Sequence, residues 1–174
     1  MKTFLVIGLT VLFTGCAGYN TGRIGHPQID SIAVATVQNM TSRPELRVEL
    51  QKGLRAAVQN NGAYKLKVGS SADCIIHTRV MSVETDGVGS AFRAEDKDND
   101  SLQDYGSSIY RVTMQVEYTV LLPGKSRPLI PLTKVSGYGR FTEMGDIEVA
   151  RKIASRSAAG DVAQQIISQI TEAW

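Results

Sequence analysis

The sequence predicts an α+β fold, a two-layer sandwich. A mostly antiparallel or mixed sheet of about four strands carries two helices on one face. Three observations carry that expectation. Within residues 109–122, apolar and polar side chains alternate without a break from Tyr110 to Val120. Two segments, 46–58 and 147–170, repeat apolar residues at helical spacing instead. The order along the chain is strand, helix, three or four strands, helix.

The first strand is expected over D-S-I-A-V-A-T-V, residues 30–37. Its small residues suit a strand covered closely on at least one side. Residues 39–45, N-M-T-S-R-P-E, read as a loop and a helix start. Ser42 and Glu45 have capping-box spacing, and Pro44 fits the first turn. Leu46, Leu50, Leu54, Ala57 and Val58 then mark the buried stripe of the first helix, and Asn60-Asn61-Gly62 stops it. A short strand fits residues 64–68. A longer one, alternating loosely, fits residues 74–85.

Residues 109–122 are the clearest strand. Tyr110, Val112, Met114, Val116, Tyr118, Val120 and Leu122 form one face; Arg111, Thr113, Gln115, Glu117 and Thr119 form the other. Such alternation belongs to an antiparallel sheet with one dry face and one wet face. The turn P-G-K-S-R-P, residues 123–128, leads to a strand over 132–142. There Val135, Gly137, Gly139 and Phe141 share a face, and the glycines admit close approach of a helix or a partner. Asp146 caps the last helix, with Glu148 well placed near its positive end. Its apolar stripe is Ile147, Ala150, Ala154, Ala158, Val162, Ile166 and Ile170.

The start of the chain reads as an address rather than as structure. Lys2 precedes a mostly apolar run, residues 4–13, too short for the ~20 residues a bilayer span needs. Thr14 and Gly15 are followed by Cys16, an arrangement similar to a bacterial lipobox, although Phe13 stands where leucine is usual. Residues 1–15 are thus expected to be a lipoprotein signal peptide and Cys16 the acylated first residue of the mature protein. Residues 16–28 form a lipidated tether rich in turn formers, and residues 29–174 a single domain. Ala17 after the cysteine, rather than aspartate, favours the outer membrane where that sorting rule operates.

Composition removes several function classes. A formal net charge of +2 gives no general nucleic-acid footprint. With Cys16 acylated, Cys74 stands alone and no intrachain disulfide forms. Cys74 and His77 are three apart in a strand and therefore point to opposite faces, a poor arrangement for one zinc. No Ser-His-Asp grouping or phosphate-cradling glycine loop is present, so the chain is expected not to be an enzyme. The sequon Asn39-Met40-Thr41 carries no glycan in a bacterial lipoprotein.

Two loops invite a ligand. Asp96, Asp98, Asp100 and Asp104 occupy positions 1, 3, 5 and 9 of a calcium-loop pattern. Ser101 stands where that loop needs glycine, and Ser107 where it needs the bidentate glutamate. The alternatives are a solvated hairpin loop and a calcium-dependent envelope-binding module. Arg93, Lys125 and Arg127 are loop cations able to meet a phosphorylated ligand through charge-assisted hydrogen bonds.

In order, the motifs resemble the LptE family. They are the lipobox at Cys16 with Gly18-Tyr19, then I-D-S-I-A-V at 29–34 and N-M-T-S-R-P-E-L at 39–46. A-D-C-I-I at 72–76, Y-R-V-T at 110–113, V-S-G at 135–137 before Phe141, and I-T-E-A-W at 170–174 follow. The resemblance implies a sheet of about four strands under two helices and a domain that plugs an LptD-type outer-membrane β-barrel. It also implies a part in barrel assembly and in lipopolysaccharide delivery to the cell surface, with no cofactor beyond the lipid. The acidic loop is not part of that pattern.

Overall fold

The longest unbroken alternation in the sequence becomes the strand on which the others hang. The computed structural model describes residues 25–90, 107–142 and 146–172. The elements are β1 (Ser31–Val34), β2 (Gln38–Asn39), α1 (Glu45–Asn61), β3 (Lys65–Lys67), β4 (Cys74–Ser90), β5 (Ser107–Leu121), β6 (Ile130–Thr142) and α2 (Ile147–Glu172). The sheet runs β3-β1-β4-β5-β6, and β2 pairs with β4 beyond the end of β1. β1 is parallel to both β3 and β4, whereas β4, β5 and β6 form an antiparallel meander. The sheet is therefore mixed, and both helices pack on one face, as expected.

β5 buries Val112, Met114, Val116, Tyr118 and Val120, the face read from the sequence. β4 behaves differently. Cys74, Ile76, Thr78 and Val80 are buried, then a bulge between Val80 and Ser82 shifts the register, and Val83 is the next residue packed on the core. One extra residue reverses which parity faces inward. This is why residues 74–85 alternate only loosely. Pairing with β5 continues beyond the expected end at Thr85, to Ser90.

The expected first strand over 30–37 is shorter and split. Gln51 of α1 accepts from the Val37 amide at 3.0 Å and donates to the Ala35 carbonyl at 3.2 Å. A helix side chain thus takes backbone groups that a continued ladder would have used. Pairing resumes at β2, and the Met40 amide donates to the Val80 carbonyl at 3.0 Å.

The expected capping box is not formed, since the start of α1 has no side-chain cap hydrogen bond. An Asn39 network replaces it. Asn39 Oδ1 accepts from the Thr41 amide and hydroxyl, and Asn39 Nδ2 donates to the Arg43 carbonyl at 2.7 Å. Pro44, at φ −64° and ψ −27°, is already helical. Gly62, at φ +67°, ends α1 in the left-handed conformation that favours glycine.

α2 starts as read: Asp146 Oδ1 accepts from the Glu148 and Val149 amides. Its buried face is wider than the single stripe expected. Ala154, Ala158, Val162, Ile166 and Ile170 face the sheet layer as predicted, and Ser155, Ala159, Ala163 and Ile167 are buried too. The second stripe exists because α2 also packs on α1. Gly53 of α1 lies against Ala159 and Ala163, and Arg156 Nε donates to the buried Glu49 carboxylate at 2.9 Å. That pairing raises the Arg156 guanidinium further above its ordinary value. Contacts 49–156 and 53–159 show that the helices run in the same direction. Gly137 and Gly139 of β6 seat α2 closely at Ala154, Ala158 and Val162.

Two side chains of α2 reach the outer edge of β6. Asp161 Oδ2 accepts from the Tyr138 amide at 2.9 Å, and Gln165 Nε2 donates to the Ser136 carbonyl at 3.1 Å. At the opposite edge, β3 is three residues long and two of them are lysines.

Cys74 is fully buried and its thiol is pushed up to about 12, first by burial and then by the nearby Asp73 charge. At pH 8 only about one thiol in 10⁴ is ionised. Native protein is therefore expected to resist maleimide at Cys74 at pH 8 and to label fully in denaturant, as read by mass spectrometry. Equal labelling rates in the two conditions would show that the β1–β4 seam is open.

Candidate functional site

Among the described residues, helices cover one face of the sheet and leave the other open. On the open face β4 presents His77 and Arg79, β5 presents Arg111, Thr113, Gln115, Glu117 and Thr119, and β6 presents Lys134, Tyr138 and Arg140. Glu117 pairs with Lys134 at 3.7 Å, and the Arg111 guanidinium lies 5.7 Å from the centre of the Tyr138 ring. Arg79 Nε donates to Gln38 Oε1 at 3.0 Å. Thr36, His77, Thr119 and Leu132 line a shallow cleft of about 280 Å³ on this face. His77 is exposed and Cys74 buried, so the two do point to opposite faces.

A second, open cleft of about 770 Å³ lies along residues 36–44 and Arg47. The Asn39 network ties this turn to the start of α1, and Met40 projects from it, 65% exposed. The motif at 39–46 is therefore structural at Asn39 and Thr41 and outward-facing at Met40.

The loop cations divide. Lys125 and Arg127 lie exposed in the turn between β5 and β6, where Gly124 adopts φ +78°. That turn is at the end of the sheet where β1 begins: Ile32 pairs with Cys74, and Ile75 with Leu121. The ends of β4 and β5 that flank residues 91–106 lie at the opposite end of β5. Arg93, Asp96, Asp98, Asp100, Asp104 and Cys16 fall outside the described residues. Among the described residues no group of three His, Cys, Asp or Glu side chains is placed to hold a metal ion.

His26, expected in the tether, is buried and pinned to the domain. Its amide donates to Tyr64 Oη at 2.9 Å, and that hydroxyl donates to Thr171 Oγ1 at 3.2 Å. Asp73 ties the start of β1 to the start of β4. One carboxylate oxygen accepts from the Ser31 hydroxyl and amide at 2.8 Å each and from the Asp30 amide at 3.0 Å. These hydrogen bonds, led by the Ser31 hydroxyl, hold the Asp73 carboxyl below its ordinary value.

A family model described as LptE, lipopolysaccharide-assembly, matches residues 29–170, nearly the whole described domain. The chain belongs to the LptE family. Solved structures share the fold at low identity. A Xanthomonas campestris protein of the DUF330 family is 13% identical, covering 84% of this chain and 87% of its own, with a TM-score of 0.56. The Paraburkholderia phytofirmans PelC dodecamer subunit is 10% identical over 84% and 91%, with a TM-score of 0.50. No curated protein sequence matches the chain. Among the described residues of this LptE-family domain, no helix is long and apolar enough to cross a membrane.

Lys65 and Lys67 were not singled out in the sequence as site residues, and β3 places both on the open face. The K-L-K alternation shows that they share a side. It does not show which strand lies beside them.

Proposed function

We propose that this chain is a non-enzymatic outer-membrane lipoprotein, anchored through Cys16, that plugs and helps assemble an LptD-type β-barrel translocon. In that role it aids lipopolysaccharide transport to the cell surface. The observation that carries the reading is the family match over residues 29–170. The fold is compatible with work by contact: helices close one sheet face, and the other is open and polar over most of its area. Two or three acyl chains at Cys16, at ~0.8 kcal/mol per buried CH₂, would hold the domain at the membrane.

The test is a pull-down of the lipoprotein with identification of its partner, together with depletion. A large outer-membrane barrel is expected to co-purify, and surface lipopolysaccharide to fall on depletion. Normal surface lipopolysaccharide after depletion would overturn the proposal. Cys16→Ser is expected to abolish palmitate labelling. If that variant still fractionates with the membrane through the barrel, anchor and interface are redundant.

A further inference from the structure

We infer that the corner of the open sheet face beside the tether docks on anionic lipid headgroups, in the leaflet that holds the acyl chain. The inference rests on reading Cys16 as the acylated residue. It stands on three observations.

The first is strand register. Lys67 pairs with Ala33, Ala33 with Ile75, and Ile75 with Leu121, so these residues form one row on the sheet face away from the helices, with Ala33 itself buried between its neighbours. Lys65 pairs with Ser31 and extends the same face toward the tether. The turn after Leu121 carries Lys125 and Arg127. The row is thus apolar in the middle and basic at both ends. Asp30 and Asp73 are the acids beside β1, and the Asp73 carboxylate is turned onto the Ser31 and Asp30 backbone.

The second is exposure of large apolar side chains at this corner. Leu132 is 67% exposed and Leu121 38%. Apolar side chains set among lysines and arginines suit a headgroup layer, which offers negative charge at its surface and hydrocarbon just beneath.

The third is reach. Ten residues separate Cys16 from the pinned His26, and at ~3.6 Å each they span at most about 36 Å. The Tyr64 hydroxyl holds His26 at the same end of the domain as Lys65. A short leash from this end keeps the basic corner near the bilayer surface. Each Lys or Arg near an anionic surface contributes about fivefold in binding.

The test uses the mature lipoprotein in phosphatidylglycerol/phosphatidylethanolamine vesicles and, separately, in phosphatidylcholine vesicles. Lysines are acetylated with a soluble reagent and read by mass spectrometry. Lys65, Lys67 and Lys125 are expected to react at least about fivefold more slowly than Lys52 and Lys152 on the helices. That protection should occur only in anionic vesicles and should fade in about 0.5 M salt, where screening falls to roughly 5 Å. Equal rates for the two groups, or equal protection in phosphatidylcholine, would overturn the inference. So would full protection by inorganic phosphate without vesicles, which would indicate a free-anion site. Should the mass show no acyl group, the reading of Cys16 fails while the corner is still tested by flotation. The chain should then bind the anionic vesicles salt-sensitively. The variant Lys65→Glu, Lys67→Glu, Lys125→Glu, Arg127→Glu should lose about a hundredfold or more. No difference between the two would overturn the inference.

Discussion

Gly139→Ala is expected to destabilise the domain by at least about 3 kcal/mol, because it overpacks a seam that has backbone on both sides. A Cβ on Gly139 would strike the Ala154 carbonyl, coming within 2.7 Å of its carbon. A Cβ on Gly137 would meet the Ala158 carbonyl and lie 2.7 Å from the Val162 amide nitrogen. A side chain in conflict can rotate away, but these backbone atoms move only if α2 lifts. Lifting α2 would separate Ala154, Ala158 and Val162 from β6 and draw Ala159 and Ala163 away from Gly53. Gly160, exposed on the same helix, has nothing within 4 Å of a Cβ. Gly160→Ala is therefore expected to stabilise by about 0.5–1 kcal/mol through helix propensity alone. Urea unfolding followed by circular dichroism reads both variants. A Gly139→Ala protein within about 0.5 kcal/mol of wild type would mean that α2 does not sit on β6 as described.

Tyr118→Ala is expected to cost about 4 kcal/mol, in the range for emptying a buried aromatic site. Tyr118 is 1% exposed at the middle of β5, and its hydroxyl donates to Gln169 of α2. Burial raises its pKa, so the phenol is neutral throughout the physiological range. Tyr118→Phe keeps the ring and removes only that hydrogen bond, so it should cost about 1 kcal/mol. Across the β4–β5 ladder Tyr118 faces Thr78, whose buried hydroxyl oxygen has no hydrogen-bond partner among the described residues. Thr78→Val removes a desolvated polar atom at nearly constant shape and is expected to gain about 1 kcal/mol. The ordering Thr78→Val above wild type, then Tyr118→Phe, then Tyr118→Ala, tests the assignment. A Tyr118→Phe loss as large as that of Tyr118→Ala would place the importance in the hydroxyl rather than in the ring.

The layered fold was legible in the sequence wherever a local pattern survives intact. The period of two in β5, the glycines of β6 and the Asp146 cap each report their surroundings without reference to distant residues. β4 was less legible because the bulge after Val80 inverts its parity halfway along. The capping box at Ser42 had the right spacing, yet Asn39 holds the turn from the preceding strand. The parallel placement of β1 between β3 and β4 leaves no local trace, because such pairing joins segments a helix apart. The same limit applies to the candidate site. Lys125 and Arg127 were visible as turn cations, whereas Lys65 and Lys67 join them at one corner only through the register of four strands.

The bonds from Asp161 and Gln165 to the rim of β6 bear on how this domain behaves in company. An assembling barrel presents strands whose amides and carbonyls have not yet found partners, and a bare strand on a neighbouring protein is an invitation to pair. Here an outer amide and an outer carbonyl of β6 are already engaged by the domain's own helix, and the far rim is short and cationic. In the barrel-assembly role proposed above, a domain built this way would offer unfinished β-structure little free backbone at these two rims with which to exchange strands.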